Sequence, residues 1–569
     1  MKKVSGSPLP LGVTYKNGRA NFAMEVPEGK TCKLLLYRKG EASLLASYVF
    51  SDRIGSVCYM AVDGLKEEAY EYNYDIDGER VTDSYAKALS GKEVWFKNIE
   101  ISEKSNVRGI FYEDHYDWEA DQSPRIQEEE LIAYAIHVRG FTKDTHSKVK
   151  NKGTFQGVIE KIPYLKDLGI NQIQCMPVYE FEEAGVRVNY WGYGPGYYFA
   201  PKSAYAKDGD GVKGLKDLVK YCHKAGIEVV LEMPFAEGIS GLMVTDCLRN
   251  YVMEYHVDGF ILNPYNVPMD IILKDPILTG VRILKHAEEY QNVMRRFLKG
   301  DEGVVTDVMY QTRKRWDLEG IYNCITTHTG FTLKDLVSYD GKHNEANGEN
   351  NQDGPDYNYS WNCGAEGLTR KKAVLELRKN QMRNALFLLL LSQGVPCILA
   401  GDEFANSQKG NNNVYCQDNP IGWLNWRNLL KEQEMYQFVK QLIKFRKKYR
   451  LFHQEKELLG IDQSGCGMPD VSYHGEMAWR ASTEVASRQI GIYYSSQDKE
   501  EADCFVAYNM HWLEHEFALP ALKKGRKWYR AASTKEGILK DLVVLENQRN
   551  IELDEREIVV LVSGKGETV

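Results

Sequence analysis

No two cysteines stand in a C-x-x-C arrangement, although the 569-residue chain has eleven of them, dispersed from Cys32 to Cys504. An odd, scattered set without metal-ligand spacing speaks against a disulfide framework and a thiolate zinc site, and fits reduced cysteines in a cytoplasmic protein. Long apolar runs are missing too. Leu386 to Leu391 is far short of the ~20 residues a membrane span needs, and Met1 to Pro10 has lysines but no apolar stretch of a secretory signal. Neither a membrane nor secretion is expected. An excess of basic charge is also lacking. The formal net charge is −8, with Lys and Arg scattered, which argues against a phosphate-backbone partner such as nucleic acid. No phosphate-cradling G-x-x-x-x-G-K-[ST], no dinucleotide G-x-G-x-x-G in a strand–helix context and no metal cluster stands out, so neither cofactor nor metal is expected.

What is present reads as several domains, since single hydrophobic cores rarely grow beyond about 250–300 residues. The first ~110 residues hold apolar or alternating runs, as in Cys32 to Tyr37 and Tyr70 to Tyr74, between turns such as Val62-Asp63-Gly64 and Ile76-Asp77-Gly78. That pattern predicts a small β-sandwich over 1–115. Tyr116 to Glu130 is polar and reads as a linker. From Leu131 the rhythm becomes strand, helix, strand: strands over Leu131–Val138, Ile170–Met176, Gly226–Met233 and Gly259–Leu262, helices over Val158–Leu168, Gly214–Ala225 and Leu242–His256. Lys371–Leu391 and Glu432–Tyr449 are later helices around a strand at Pro396–Ala400. Such alternation implies parallel strands with right-handed crossovers, and its repetition favours a (β/α) barrel over 116–455 rather than an open sheet. Runs such as Ile490–Tyr494, Cys504–Asn509 and Ile558–Val562 predict a second β-sandwich over 456–569.

Several segments carry a resemblance. They are Ser7 to Thr14, His137-Val138-Arg139-Gly140-Phe141-Thr142, Asn189-Tyr190-Trp191-Gly192-Tyr193, Lys342 to Asn350, Gly401-Asp402-Glu403-Phe404, Gly410 to Asn419, and Pro469 to Gly475. Together they resemble isoamylase-type α-glucan debranching enzymes of the α-amylase superfamily (glycoside hydrolase family 13), across nearly the whole chain. The resemblance implies a (β/α)8 TIM-type barrel flanked by N-terminal and C-terminal β-sandwich domains, the first of a glucan-binding type. It also implies α-glucan as ligand, in the form of glycogen, starch or maltooligosaccharide, with Trp191 and Tyr193 stacking on a sugar and His328 binding its hydroxyls.

The family's chemistry makes the departures readable. A retaining glycosidase sets a carboxylate nucleophile and a carboxylic acid about 5–5.5 Å apart across the scissile bond. The amylase family adds a third Asp, an Arg beside the nucleophile, and two His, all at strand C-termini. Where the third strand's end would read D-V-V-Y-N-H, this chain has Glu232-Met233-Pro234-Phe235-Ala236-Glu237, with Glu237 in the histidine position. Where the fourth would read G-F-R-F-D, it has Gly259-Phe260-Ile261-Leu262-Asn263, so Ile261 replaces the arginine and Asn263 the nucleophile. Where the seventh would read T-A-H-D, it has Thr326-Thr327-His328-Thr329, retaining the histidine but placing Thr329 at the aspartate. No Glu followed by Trp occurs between Asp275 and Phe297, and counting from Asp275 puts the acid position at Lys285 or His286.

An amide is neutral and a poor nucleophile, and Ile261 supplies no cation to favour an ionised group. Asn263-Pro264 has a plain alternative as a strand-ending turn. Glu232 and Glu237 are the weak candidates for substitute carboxylates, while Glu288, Glu289, Asp301 and Glu302 read as solvated charges. The polar stretch Asn344 to Asn362 is expected to be an ordered loop capping the cleft, with Tyr357, Tyr359 and Trp361 giving it something to bury. The leading expectation is a non-catalytic isoamylase-like protein that binds α-glucan or pairs with an active isoamylase-type subunit. The rivals are an active hydrolase of α-1,6 branches with displaced carboxylates, and a scaffold without sugar affinity.

Overall fold

The computed structural model describes residues 1–67, 69–96, 107–496 and 501–565. The chain forms two compact units, one of residues 1–124, 137–162 and 174–283, the other of 125–136, 163–173 and 284–569.

The first unit begins with two antiparallel sheets. One has Lys2–Val4, Val57–Asp63, Arg19–Glu25 and Gly12–Lys16 as neighbours in that order; the other runs Leu89–Ser90, Arg108–Ile110, Tyr70–Ile76, Cys32–Arg38, Leu44–Val49. Period-two alternation sends Leu34, Leu36, Tyr72 and Tyr74 to one face, where they meet Phe22, Met60 and Val62 of the other sheet in one apolar core. The Asp77-Gly78 turn has φ of 50° and 90°, the left-handed pair that suits a tight hairpin between Tyr70–Ile76 and Glu79–Val81. Parallel strands follow, with Glu228–Glu232 paired to Gly259–Ile261 in register Glu232 to Ile261. The amphipathic helices Gly211–Lys224 and Gly241–Tyr255 alternate with these strands, burying Leu215, Leu218, Val219 and Cys222 from the first and Val244, Leu248 and Tyr251 from the second.

The polar stretch after the sandwich is not a free linker as far as Pro124. Its charges are paired along one helix: Asp114 with Lys216 at 2.5 Å, Tyr116 Oη with Asp217 at 2.8 Å, and Glu119 with Lys220 and Lys224. His223 is buried between two carboxylates, Nε2 lying 3.0 Å from Asp258 and Nδ1 2.9 Å from Asp121, which also meets His256 Nδ1 at 2.9 Å. Burial opposes protonation of His223, but Asp258 and Asp121 outweigh it and raise its pKa above the usual 6.5. A raised pKa means the folded state holds the proton more tightly than the unfolded chain. Its stabilisation is therefore complete below about pH 6.5 and lost as pH rises through the folded value. The urea midpoint should fall across that alkaline-side window, and His223→Gln should flatten the fall; an equally steep fall in the variant would refute the assignment.

The second unit carries parallel strands Ala133–Ile136 and Cys397–Leu399, paired Tyr134 to Ile398. Asn323 makes a single parallel bridge to Pro396, and Lys285 N–H donates to Gly320 O at 2.8 Å, so the chain from Gly320 to Thr326 makes a bridge and no ladder. The long helix Lys372–Leu390 buries Leu386 to Leu390, and Gln433–Lys448 buries Phe438, Val439, Leu442 and Ile443. Strand–helix alternation of this kind, with the strands parallel, is that of a TIM-type barrel. The C-terminal sheet runs Val471–His474, Gln489–Tyr494, Cys504–Asn509, Glu557–Lys565, Arg526–Ser533, Gly537–Val544, with the pair His515–Ala518 and Asn550–Leu553 beside a core of Tyr493, Phe505, Phe517, Trp528 and Leu561. None of the eleven cysteines is joined in a disulfide. No helix among the described residues is long and apolar enough to cross a membrane.

Candidate functional site

Glu232 is the last residue of its strand and Ile261 the last of the neighbouring one; both are buried, and the Ile261 carbonyl accepts from Met233 N–H at 3.0 Å. Ile261 thus fills with hydrocarbon the position the resemblance assigns to a cation. Asn263, two residues on, is exposed, and its amide is already employed. Oδ1 accepts from Tyr265 N–H at 3.1 Å while its carbonyl accepts from Asn266 N–H at 3.1 Å, an Asx turn that ends the strand. Glu237 lies in a turn and is exposed to solvent.

Trp191 and Tyr193 sit in a loop whose stem is the hairpin of Tyr179–Phe181 and Gly196–Pro201. Asn189 folds that loop, its Oδ1 accepting from Gly192 N–H and its Nδ2 donating to Tyr193 O, both at 2.9 Å. Tyr179 Oη donates to Gly192 O at 2.9 Å. Gly192 has φ +82°, and a Cβ there would come within 2.3 Å of the Phe181 ring, so only glycine fits. The Trp191 and Tyr193 rings are 5.7 Å apart; Trp191 is buried, whereas Tyr193 is partly open. Tyr193 Oη donates to Glu232, which joins the aromatic loop to the strand end. Burial first, and then the Glu232 carboxylate, push the Tyr193 phenol well above its usual range, so it remains a donor at every physiological pH. His137, which ends the first strand's segment, anchors the loop from below with Nε2 2.8 Å from Tyr190 O.

The second unit holds the remaining positions. His328 is partly exposed, with its ring 6.0 Å from that of His286, and Thr329 is exposed with Oγ1 3.2 Å from Thr327 Oγ1. Lys285 and His286 directly follow the short strand Arg282–Leu284. Glu288 and Glu289 are exposed at the start of the helix Glu289–Lys299, while Asp301 pairs with Lys299 at 3.5 Å and Glu302 with Arg488 at 2.8 Å.

Carboxylates not singled out by sequence reasoning as site residues stand here instead. Asp402 and Glu403 are fully enclosed. Glu403 accepts from Tyr134 Oη at 2.6 Å and from Tyr164 Oη, and Asp402 accepts from Leu333 N–H at 2.8 Å and from Thr326 Oγ1. Burial raises the pKa of both, that of Asp402 to about 7. They brace the strand ends rather than open onto solvent. Arg295 was equally inconspicuous in the sequence, yet it is buried, donates from Nε to Ile325 O at 2.7 Å and from Nη1 to Asn358 O at 3.3 Å, and so clips two loops together.

The stretch Asn344 to Asn362 is ordered, but only partly for the expected reason. Tyr357 is 86% exposed and Tyr359 36%, so of the three expected aromatics only Trp361, partly buried with Arg556 4.9 Å over its ring, packs inward. Amides do the rest. Asn344 Nδ2 donates to Asn412 Oδ1 at 2.8 Å and its Oδ1 accepts from Asn412 N–H at 2.9 Å; Asn347 and Asn413 both donate to Asp353, and Asn412 Nδ2 reaches Asn358 Oδ1 at 3.0 Å. Side-chain amides bonded across two loops in this way fix both backbones, and Asp353 takes the bonds on Oδ2 alone. No group of three or more His, Cys, Asp or Glu among the described residues could hold a metal ion.

The comparisons with known proteins bear on the family and the fold. The family described as "Alpha amylase, catalytic domain" matches residues 135–235. The chain is similar to Isoamylase 1, chloroplastic, of Arabidopsis thaliana, at 30% identity over 92% of this chain and 84% of the relative. It is also similar to the "Glycogen operon protein GlgX homolog" of Haemophilus influenzae, at 30% identity over 78% of this chain and 84% of that one. Among solved structures, the pullulanase from Bacillus acidopullulyticus superimposes with TM-score 0.75 at 18% identity, over 97% of this chain and 75% of that chain. That likeness shows the fold, a TIM barrel with flanking β domains.

Proposed function

We propose, from the premise that the chain belongs to the isoamylase-type family of the α-amylase superfamily, that it binds α-glucan without cleaving it and serves beside an active debranching subunit in a cytoplasmic setting. The observation that carries the reading is Asn263, whose amide closes a turn on Tyr265 at the strand end where the family places its nucleophile. An amide oxygen accepting a backbone hydrogen bond attacks no anomeric carbon, and buried Ile261 offers no charge to ionise a substitute. Losing one member of a catalytic unit costs on the order of 10⁴–10⁶ in rate, and here nucleophile, third aspartate and acid positions all differ. Of the positions the resemblance assigns to sugar, the Tyr193 ring and His328 stay partly open to solvent, whereas Trp191 is buried 5.7 Å from the Tyr193 ring and the Tyr193 hydroxyl is given to Glu232.

A second reading has one observation in its favour. Glu232 stands at a strand end, bonded to Tyr193, where a displaced carboxylate would act. Incubation with glycogen separates the two. Reducing-sugar release should stay at the buffer level, while mobility in a glycogen-containing native gel should be retarded. Release above buffer that Glu232→Gln or Glu237→Gln abolishes would establish the active reading instead. Unretarded mobility would leave only a scaffold. The partner role is tested by co-purification with an active isoamylase from the same cell.

A further inference from the structure

We infer that Tyr357 and Tyr359 form an aromatic subsite for an α-glucan chain, alongside the segment that ends in His328; the inference rests on the glucan-binding reading above. Three observations converge on the pair. The first is exposure on a rigid support. Tyr357 is 86% exposed and Tyr359 36%, yet Asn358 and Ser360 beside them are buried, Asn358 held by Asn412 and Ser360 Oγ donating to Asp340 O at 3.3 Å. The loop therefore presents its rings outward and anchors itself with its amides. Large aromatic side chains left in water on an ordered loop contribute little to folding, and two of them within three residues leave ring faces free for a ligand.

The second is backbone strain. Tyr359 has φ +51°, the left-handed region that a bulky residue seldom occupies. Such a conformation persists only where the surroundings impose it, and the flanking side-chain bonds of Asn358 and Ser360 do so. A glycine or asparagine would sit there without strain, so the tyrosine ring is presented from this backbone at a conformational cost.

The third is location. Arg295 donates to Asn358 O, immediately before Tyr359, and to Ile325 O, three residues before His328. One guanidinium thus fixes the aromatic pair to the segment that carries the sugar-binding histidine. The chemistry that suits two outward phenol rings is a pyranose: an apolar C–H face to lie on the ring and hydroxyls to meet the phenol. A chain of α-linked glucose units supplies successive faces of that kind.

The test uses the full chain, with glycogen in native gels and linear maltoheptaose in calorimetry as probes. Tyr357→Ala with Tyr359→Asn, the latter suited to the left-handed backbone, should weaken binding about tenfold, in line with the loss of two ring contacts. Tyr357→Phe should bind nearly as the parent does, because the face is kept, and no variant should melt below the parent, since asparagine at 359 relieves the left-handed strain. If the parent itself is not retarded by glycogen, the glucan-binding reading falls and this inference with it. If the parent binds and the double variant binds equally well, the inference alone is overturned. It is also overturned if the double variant keeps its glycogen affinity but loses a co-purifying protein, for then the pair is a protein contact.

Discussion

Lys202→Met is expected to destabilise the protein by about 3–5 kcal/mol, the usual cost of removing one partner from a buried ion pair and leaving the other charge unmatched. Lys202 is fully buried, with Nζ 3.2 Å from Glu180 and 2.5 Å from Glu183, and it lies 4.0 Å above the Phe181 ring. Both carboxylates are enclosed with it, and burial already raises the pKa of Glu180 against the pull of Lys202. Without the ammonium, two neighbouring buried carboxylates face each other. The loss, read as a lower urea midpoint, should shrink at acidic pH where one of them takes a proton. Adding Glu180→Gln should recover much of it, since a glutamine oxygen still accepts from Ser203 N–H, which now bonds Glu180 at 2.6 Å. The effect reaches the site because Glu180 and Lys202 close the stem of the loop that bears Trp191 and Tyr193. Weaker retardation by glycogen should therefore accompany the instability. A variant as stable as the parent would show that the cluster is not ionised as drawn.

The strands and helices were largely legible because each buries one face and so repeats with its own period. The expected helix at Gly214–Ala225 is found at Gly211–Lys224 and the expected strand at Gly226–Met233 at Glu228–Glu232, the ends moving because Asp210 caps Lys213 N–H and the strand is cut to its paired residues. The stretch from Gly320 to Thr326 was not legible as structure. It makes one bridge instead of a ladder, and its hold comes from Asp402, Arg295 and Lys285, residues far away in sequence. The asparagine-rich segments were half legible. Asn344 to Asn362 reads as a polar loop and Gly410 to Asn419 only as a segment of the resemblance, and neither shows that its amides are matched to those of the other. Asn263 illustrates the reverse: the Asn-Pro dipeptide announced a turn, and the structure shows the side chain closing it.

Asp402→Asn should leave the protein no less stable at neutral pH and more stable above it. The folded Asp402 has its pKa pushed up to about 7, chiefly by burial, with Thr326 and the Leu333 N–H pulling the other way. In the unfolded chain an aspartate titrates near 3.9. Between about pH 4 and 7 the folded state thus keeps a proton that the unfolded state has released, so stability falls as pH rises across that window, by a few kcal/mol at most. Asparagine removes this titration and keeps the geometry. Its oxygen can accept from Leu333 N–H as Asp402 does at 2.8 Å, and its Nδ2 can donate to Thr326 Oγ1 once that hydroxyl rotates. Glu403 stays buried with its two tyrosine donors, so a residual slope of the same sign should survive in the variant. The measurement is the urea midpoint at pH 5 and pH 8 for both proteins. A variant that loses stability at pH 8 would mean that the ionised carboxylate, not its shape, braces the Thr326–Thr329 segment, and His328 would then owe its position to a charge.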